Sequence, residues 1–113
     1  MNEPQKEFTF LCKYSDIKEN TGNRFFINEN DIAVFKVGGR IYALSNICPH
    51  QHSPIIYDGI IEEGNVVCPA HGWSFELKSG KLGGNRRGLE KYEVMIAGND
   101  VYIKILDTKF QLF

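Results

Sequence analysis

Two short words in this sequence could do chemistry. Cys48-Pro49-His50 is followed, after a spacer of 17 residues, by Cys68-Pro69-Ala70-His71. Each word pairs one cysteine with one histidine. Thiolate is a soft ligand that suits zinc, copper(I) and iron–sulfur centres, and imidazole suits zinc, copper and iron. Cys48, His50, Cys68 and His71 are therefore candidate metal ligands. A structural zinc site is compatible with this set, although zinc fingers usually group like with like, two cysteines and then two histidines. Here each loop supplies one of each, C-x-H and then C-x-x-H, which suits an object of two metal ions spanned by both loops.

Short β signals surround the two words. "EFTFLCKY" and "RFFI" are rich in aromatic and apolar residues, and "NEND" breaks the second run. "IAVFKV" and "RIYALS" flank Gly38-Gly39, a hairpin signal because glycine supplies the positive φ of a tight turn. Alternation puts Ile32 and Val34 on one face and Ala33, Phe35 and Val37 on the other. Both faces are apolar, so this hairpin is expected to be central. "NVVC" and "WSFEL" read as two further strands, "KSGK" as a turn and "LGGNRRG" as an irregular loop. In "LEKYEVMI", Tyr92, Val94 and Ile96 share a face while Leu89 stands apart; in "VYIKIL", Val101, Ile103 and Ile105 share one. "YSDIKEN" allows one turn of helix capped by Ser15 or Asp16. No other window has helical periodicity. The expected fold is all-β, seven to ten short antiparallel strands in a small barrel or sandwich. The ligand words lie between the hairpin ending at Ser45 and the strand ending at Leu77, as an insertion at the tip of that scaffold. One domain over 1–113 is expected, with a cluster-binding subdomain at about 46–77.

Composition narrows the function. The chain has 113 residues, 42% hydrophobic and 24% charged, with a formal net charge of −1. Nucleic acid is not an expected partner, since the one local cationic pair is Arg86-Arg87. No apolar run reaches the length of a membrane span, and "MNEPQKEF" lacks the apolar core of a signal peptide. A cytoplasmic protein is expected. Three cysteines, two with histidine neighbours, fit metal binding in a reducing compartment better than a disulfide framework. Cys12, in the apolar run "FTFLCKY", reads as a buried, inert thiol.

The four-ligand motif with its spacing, and Gly72-Trp73 after the second histidine, resemble those of Rieske-type 2Fe–2S ferredoxins, particularly those serving bacterial oxygenases. The flanking words "IAVFKVGGRIYALSNICPH", "CPAHGWSFEL", "LEKYEV" and "VYIKI" extend the likeness from about residue 7 to 106. The resemblance implies a Rieske 2Fe–2S cluster with Cys48 and Cys68 on an inner, buried iron and His50 and His71 on an outer iron at the protein's tip. It implies no catalytic residue. The expected function is one-electron transfer, from a flavin-dependent reductase to a terminal oxygenase, by a monomer. The alternatives are a small Rieske subunit of a nitrite reductase-like enzyme and, from another class, a structural zinc-binding module. His52, four residues after Cys48, is a possible rival to His50, but the family spacing makes it a loop residue beside the cluster.

Departures from the family's respiratory members are informative. Those proteins join the two cluster loops by a cysteine pair; the matching positions here are Ser53 and Ala70. They place a serine and a tyrosine after His-Gly that donate hydroxyl hydrogen bonds to sulfur; here Trp73 and Phe75 cannot, and alternation turns Ser74 away. A potential at the low end of the Rieske range is implied. A third, often proline-rich loop matches "LGGNRRG", which has no proline. Arg86 and Arg87 on it are candidate partner contacts. Asp58, Glu62 and Glu63 form an acidic group that either steers a basic partner or is a solvated turn.

Overall fold

The strand with apolar residues on both faces organises the molecule. In the computed structural model, which describes residues 8–49, 52–70, 72–83 and 88–105, β3 (Asn30–Val37) pairs with β2 (Gly22–Ile27) and β4 (Arg40–Ser45). Ile32 and Val34 face one hydrophobic core with Leu11, Ile17, Val101 and Ile103. Ala33 and Phe35 face a second, which contains both Cys48 and Cys68. All four side chains are completely buried. One strand thus divides the scaffold core from the core beneath the ligand loops.

A six-stranded antiparallel sheet contains β3, in the order β1-β9-β8-β4-β3-β2. Its other strands are β1 (Phe8–Lys13), β8 (Lys91–Ala97) and β9 (Asp100–Lys104). A three-stranded sheet, β5 (Ile60–Glu62), β6 (Asn65–Val67) and β7 (Ser74–Glu76), is inserted between β4 and β8. The architecture is all-β, as expected, with the ligand words in the insertion. The β3–β4 hairpin turns at Gly38 and Gly39, φ +62° and +80°, the left-handed pair that a two-residue hairpin requires. In β1 the register shifts between Phe10 and Cys12; such a bulge lets the consecutive residues Leu11 and Cys12 both be buried. Among the described residues no helix is long and apolar enough to cross a membrane.

Three local features correct or refine the expectations. The helical turn is a 3-10 turn, Tyr14–Asp16, that starts before Ser15; Asp16 caps it by accepting a hydrogen bond from the Lys13 backbone N–H. Ile96 keeps the face it shares with Tyr92 and Val94 but is 43% exposed, because β4 pairs with β8 only at Tyr92 and Lys91. Strand β5 was not expected. It pairs with β6 through a turn in which Glu63 and Gly64 both have positive φ. The tail 106–113 and the loop segment 84–87, with Arg86 and Arg87, lie outside the described residues.

Candidate metal centre

Cys48 lies three residues beyond β4, and Cys68 follows β6 directly. Both cysteines are 1% exposed, and their Sγ atoms are 3.5 Å apart. Two thiolates about 2.3 Å from one tetrahedral metal ion stand roughly 3.8 Å apart. A single ion therefore fits between this pair with little movement. Phe35, Leu44, Ile56, Val66 and Phe75 form the apolar surroundings. Cys12, Cys48 and Cys68 form no disulfide among the described residues.

The loops that carry the two cysteines share one backbone design. In the first, the N–H of His52 donates to the Cys48 carbonyl at 2.6 Å, and the Cys48 N–H donates to the Ser53 carbonyl at 2.9 Å. In the second, the N–H of Gly72 donates to the Cys68 carbonyl at 2.9 Å, and the Cys68 N–H donates to the Trp73 carbonyl at 2.8 Å. Each loop is closed by a residue in the left-handed region, His52 at φ +60° and Gly72 at +75°. His52 thus occupies the turn-closing position that glycine, with no Cβ penalty, occupies in the other loop. His50 and His71 lie outside the described residues. Their described neighbours Pro49, His52, Ala70 and Gly72 are exposed, so both loops end at the surface while their sulfurs are buried.

The residues after the second word point as alternation requires. Phe75 is completely buried in the cysteine-bearing core, Ser74 is half-buried on the other face of β7, and Trp73 packs against the core with its ring 6.5 Å from Phe75. Glu62 and Glu63 are exposed at the β5–β6 turn, the end of that hairpin remote from Cys68. Asp58 ends the 3-10 turn Ile56–Asp58. The acidic group is therefore not gathered beside the cysteines. Cys12 belongs to the other core; burial, and then the Asp16 charge, push its thiol up from its ordinary value, which disfavours the nucleophilic thiolate. Sequence reasoning passed over two residues beneath the first loop, Asp31 and Asn46. Asn46 is completely buried. The Arg24 guanidinium holds the Asp31 carboxyl below its ordinary value against the opposing effect of burial, with help from the Asn46 amide.

The profile of the Rieske 2Fe–2S domain family matches residues 7–93. The chain belongs to that family. Its cofactor is accordingly a Rieske 2Fe–2S cluster, a one-electron centre on which two histidines replace two cysteines at one iron, and the paired buried thiols fit its sulfur-bound side. The Rieske chain is 31% identical over 98 residues to the 3-phenylpropionate/cinnamic acid dioxygenase ferredoxin subunit of Escherichia coli, covering 85% of this chain and 92% of the relative. It is 29% identical over 75 residues to the ferredoxin component of the alkene monooxygenase system of Xanthobacter autotrophicus, covering 66% of this chain and 62% of that one. Two solved structures share the fold. The ferredoxin of carbazole 1,9a-dioxygenase from Nocardioides aromaticivorans has a TM-score of 0.79 at 18% identity, covering 88% of this chain and 98% of that one. A protein assigned as the NADH-dependent nitrite reductase small subunit of Mycobacterium tuberculosis has a TM-score of 0.81 at 18% identity, covering 88% and 95%. The relatives are named as ferredoxin components, and this chain is an electron-transfer protein rather than a catalytic enzyme.

Proposed function

We propose that this protein is a Rieske ferredoxin that takes one electron from a flavin-dependent reductase and delivers it to a terminal oxygenase. Cys48 and Cys68 hold the inner iron, and His50 and His71 the outer one. The observation that carries this reading is the pair of buried thiols 3.5 Å apart on two loops of one backbone design. Within each loop only three positions separate the cysteine from the left-handed closing residue, and His50 and His71 fall among them. His52 is itself a closing residue, which favours His50 as the ligand. The cluster-binding unit is the insertion at about 46–77 on a single domain of 1–113.

The exposed described residues of the two loops, Pro49, His52, Pro54, Pro69, Ala70 and Gly72, include no acidic residue, lysine or arginine. Such a rim suits contact with a largely uncharged patch around a partner's electron-entry site. The protein works as a monomer in the cytoplasm, where free thiols persist. The test is reconstitution: the reduced protein is mixed with an oxygenase component and its reoxidation followed. Single-turnover reoxidation by the oxygenase is expected. Reoxidation only by a co-purifying large flavin or haem subunit would replace this reading with the second one, a nitrite reductase small subunit, which the fold similarity to such a subunit supports.

A further inference from the structure

The two loops share a closing turn but not a base. The second stands on a ladder: Val67 and Ser74 pair directly beneath Cys68 and Trp73. The first has one isolated bridge between Ile47 and Pro54, and below that bridge its ends meet on a side chain. The Asn46 backbone carbonyl accepts the Ile56 N–H at 3.3 Å. The Asn46 side-chain Oδ1 accepts the Tyr57 N–H at 2.7 Å. Its Nδ2 donates to Asp31 Oδ1 at 3.0 Å, and its backbone N–H donates to the Asp31 carbonyl at 2.9 Å. Every hydrogen-bonding group of Asn46 is thus used, and the residue is the one fully buried polar residue among those described. Asp31 is held in turn by Arg24, whose Nε and Nη2 donate to its two carboxylate oxygens at 3.0 and 2.8 Å. The Arg24 guanidinium lies over the Tyr57 ring, 5.9 Å from its centroid. Arg24, Asp31, Asn46 and Tyr57 therefore close a ring of contacts under the first loop.

We propose that Asn46 and Asp31 are positioning residues for the cluster: they clasp the ends of loop 46–57 together and tie them to β3, and so hold Cys48 against Cys68. Both act through the loop. The β3–β4 register puts them together, since Ile32 pairs with Ser45 and the next residues outward are Asp31 and Asn46. A buried polar group that loses its partner costs far more than a typical surface contact, so the clasp fails when either member is changed alone. The proposal rests on Cys48 as a ligand.

The test is the rate at which a chelator strips the cluster from the intact protein, read as loss of visible absorbance, together with the reduced-state electron spin resonance spectrum. Asn46→Asp keeps the acceptor for Tyr57 but sets a carboxylate against Asp31; release about tenfold faster or more, and a broadened spectrum, are expected. The swap Asn46→Asp with Asp31→Asn restores a donor–acceptor pair; release within about threefold of the parent, with the parental spectrum, is expected. A purely structural role would lower the melting temperature and leave the spectrum unmoved. Parental release from Asn46→Asp, or a swap no slower than the single change, overturns the proposal. If Asn46→Asp does not accumulate as folded protein, the swap decides alone: a folded, loaded swap supports the clasp and an unfolded one overturns it. Cys48→Ala separates the two claims. If it keeps the cluster the ligand assignment fails; if it loses the cluster while the Asn46 variants behave as the parent, only the clasp fails.

Discussion

At the residue scale, the backbone places a particular demand on His52. His52 closes a turn at φ +60°, a region that costs an L-residue about 1–2 kcal/mol. Glycine removes that cost but adds chain entropy to the unfolded state. His52→Gly is therefore expected to keep the cluster and stabilise the protein by about 0.5–1 kcal/mol, measured by denaturant unfolding. Asp31 supplies an acid dependence of known sign. Its folded carboxyl is held below the ordinary value of 3.8, first by Arg24. The stability it contributes is fully present above that ordinary value and is lost as pH falls through the depressed one. Unfolding free energy measured between neutral pH and strong acid is expected to fall less steeply in Asp31→Asn than in the parent. Cys12, buried and with a raised thiol, is expected to resist alkylation in the native protein, and Cys12→Ala to keep the cluster.

At the element scale, β3 is where sequence and structure agree most closely. Its doubly apolar pattern was read as a central hairpin; β3 lies next to the edge strand β2, yet each of its two faces packs into its own core. Phe35→Ala, on the cysteine side, is expected to cost about 3–5 kcal/mol by thermal unfolding and to release the cluster as it unfolds. Ile96→Thr, at the uncovered end of β8, is expected to change stability by no more than about 0.5 kcal/mol. Pattern assigned Ile96 to the face of Tyr92 and Val94, where the strand keeps it; its burial depends on how far β4 follows β8, which a single strand's sequence does not encode. The hairpin of β5 was hidden for a related reason. It has three residues per strand, its apolar Ile60 is exposed, and its turn places Glu63, not glycine or asparagine, at the first left-handed position. The clasp of Asp31 on Asn46 was equally invisible, because it joins residues 15 apart through the β3–β4 register. The ligand words, by contrast, lie in one stretch of chain where residue type and spacing can be read directly, and the structure brings the two cysteines of that stretch together.

At the scale of the whole molecule, the cysteine sulfurs lie in an apolar core, and the exposed described residues of the two loops that carry them include no acidic residue, lysine or arginine. Phe75, whose ring has no hydroxyl, is buried in that core, and hydrogen bonds to sulfur are what raise a Rieske potential. A midpoint at about −150 mV, not near +300 mV, is expected in a redox titration. Because the acidic turn at Glu62 and Glu63 is remote from Cys68, electron delivery is expected to vary only slightly with ionic strength, by less than about threefold from low to physiological salt. The most direct measurement of the central claim is pulsed electron spin resonance on the reduced protein carrying 15N-labelled histidine. The ligand set Cys48, His50, Cys68 and His71 predicts two strongly coupled imidazole nitrogens, one lost in His50→Ala and one in His71→Ala, with both kept in His52→Ala. A reduced protein with no coupled nitrogen, or one whose coupling disappears in His52→Ala and survives in His50→Ala, would contradict it.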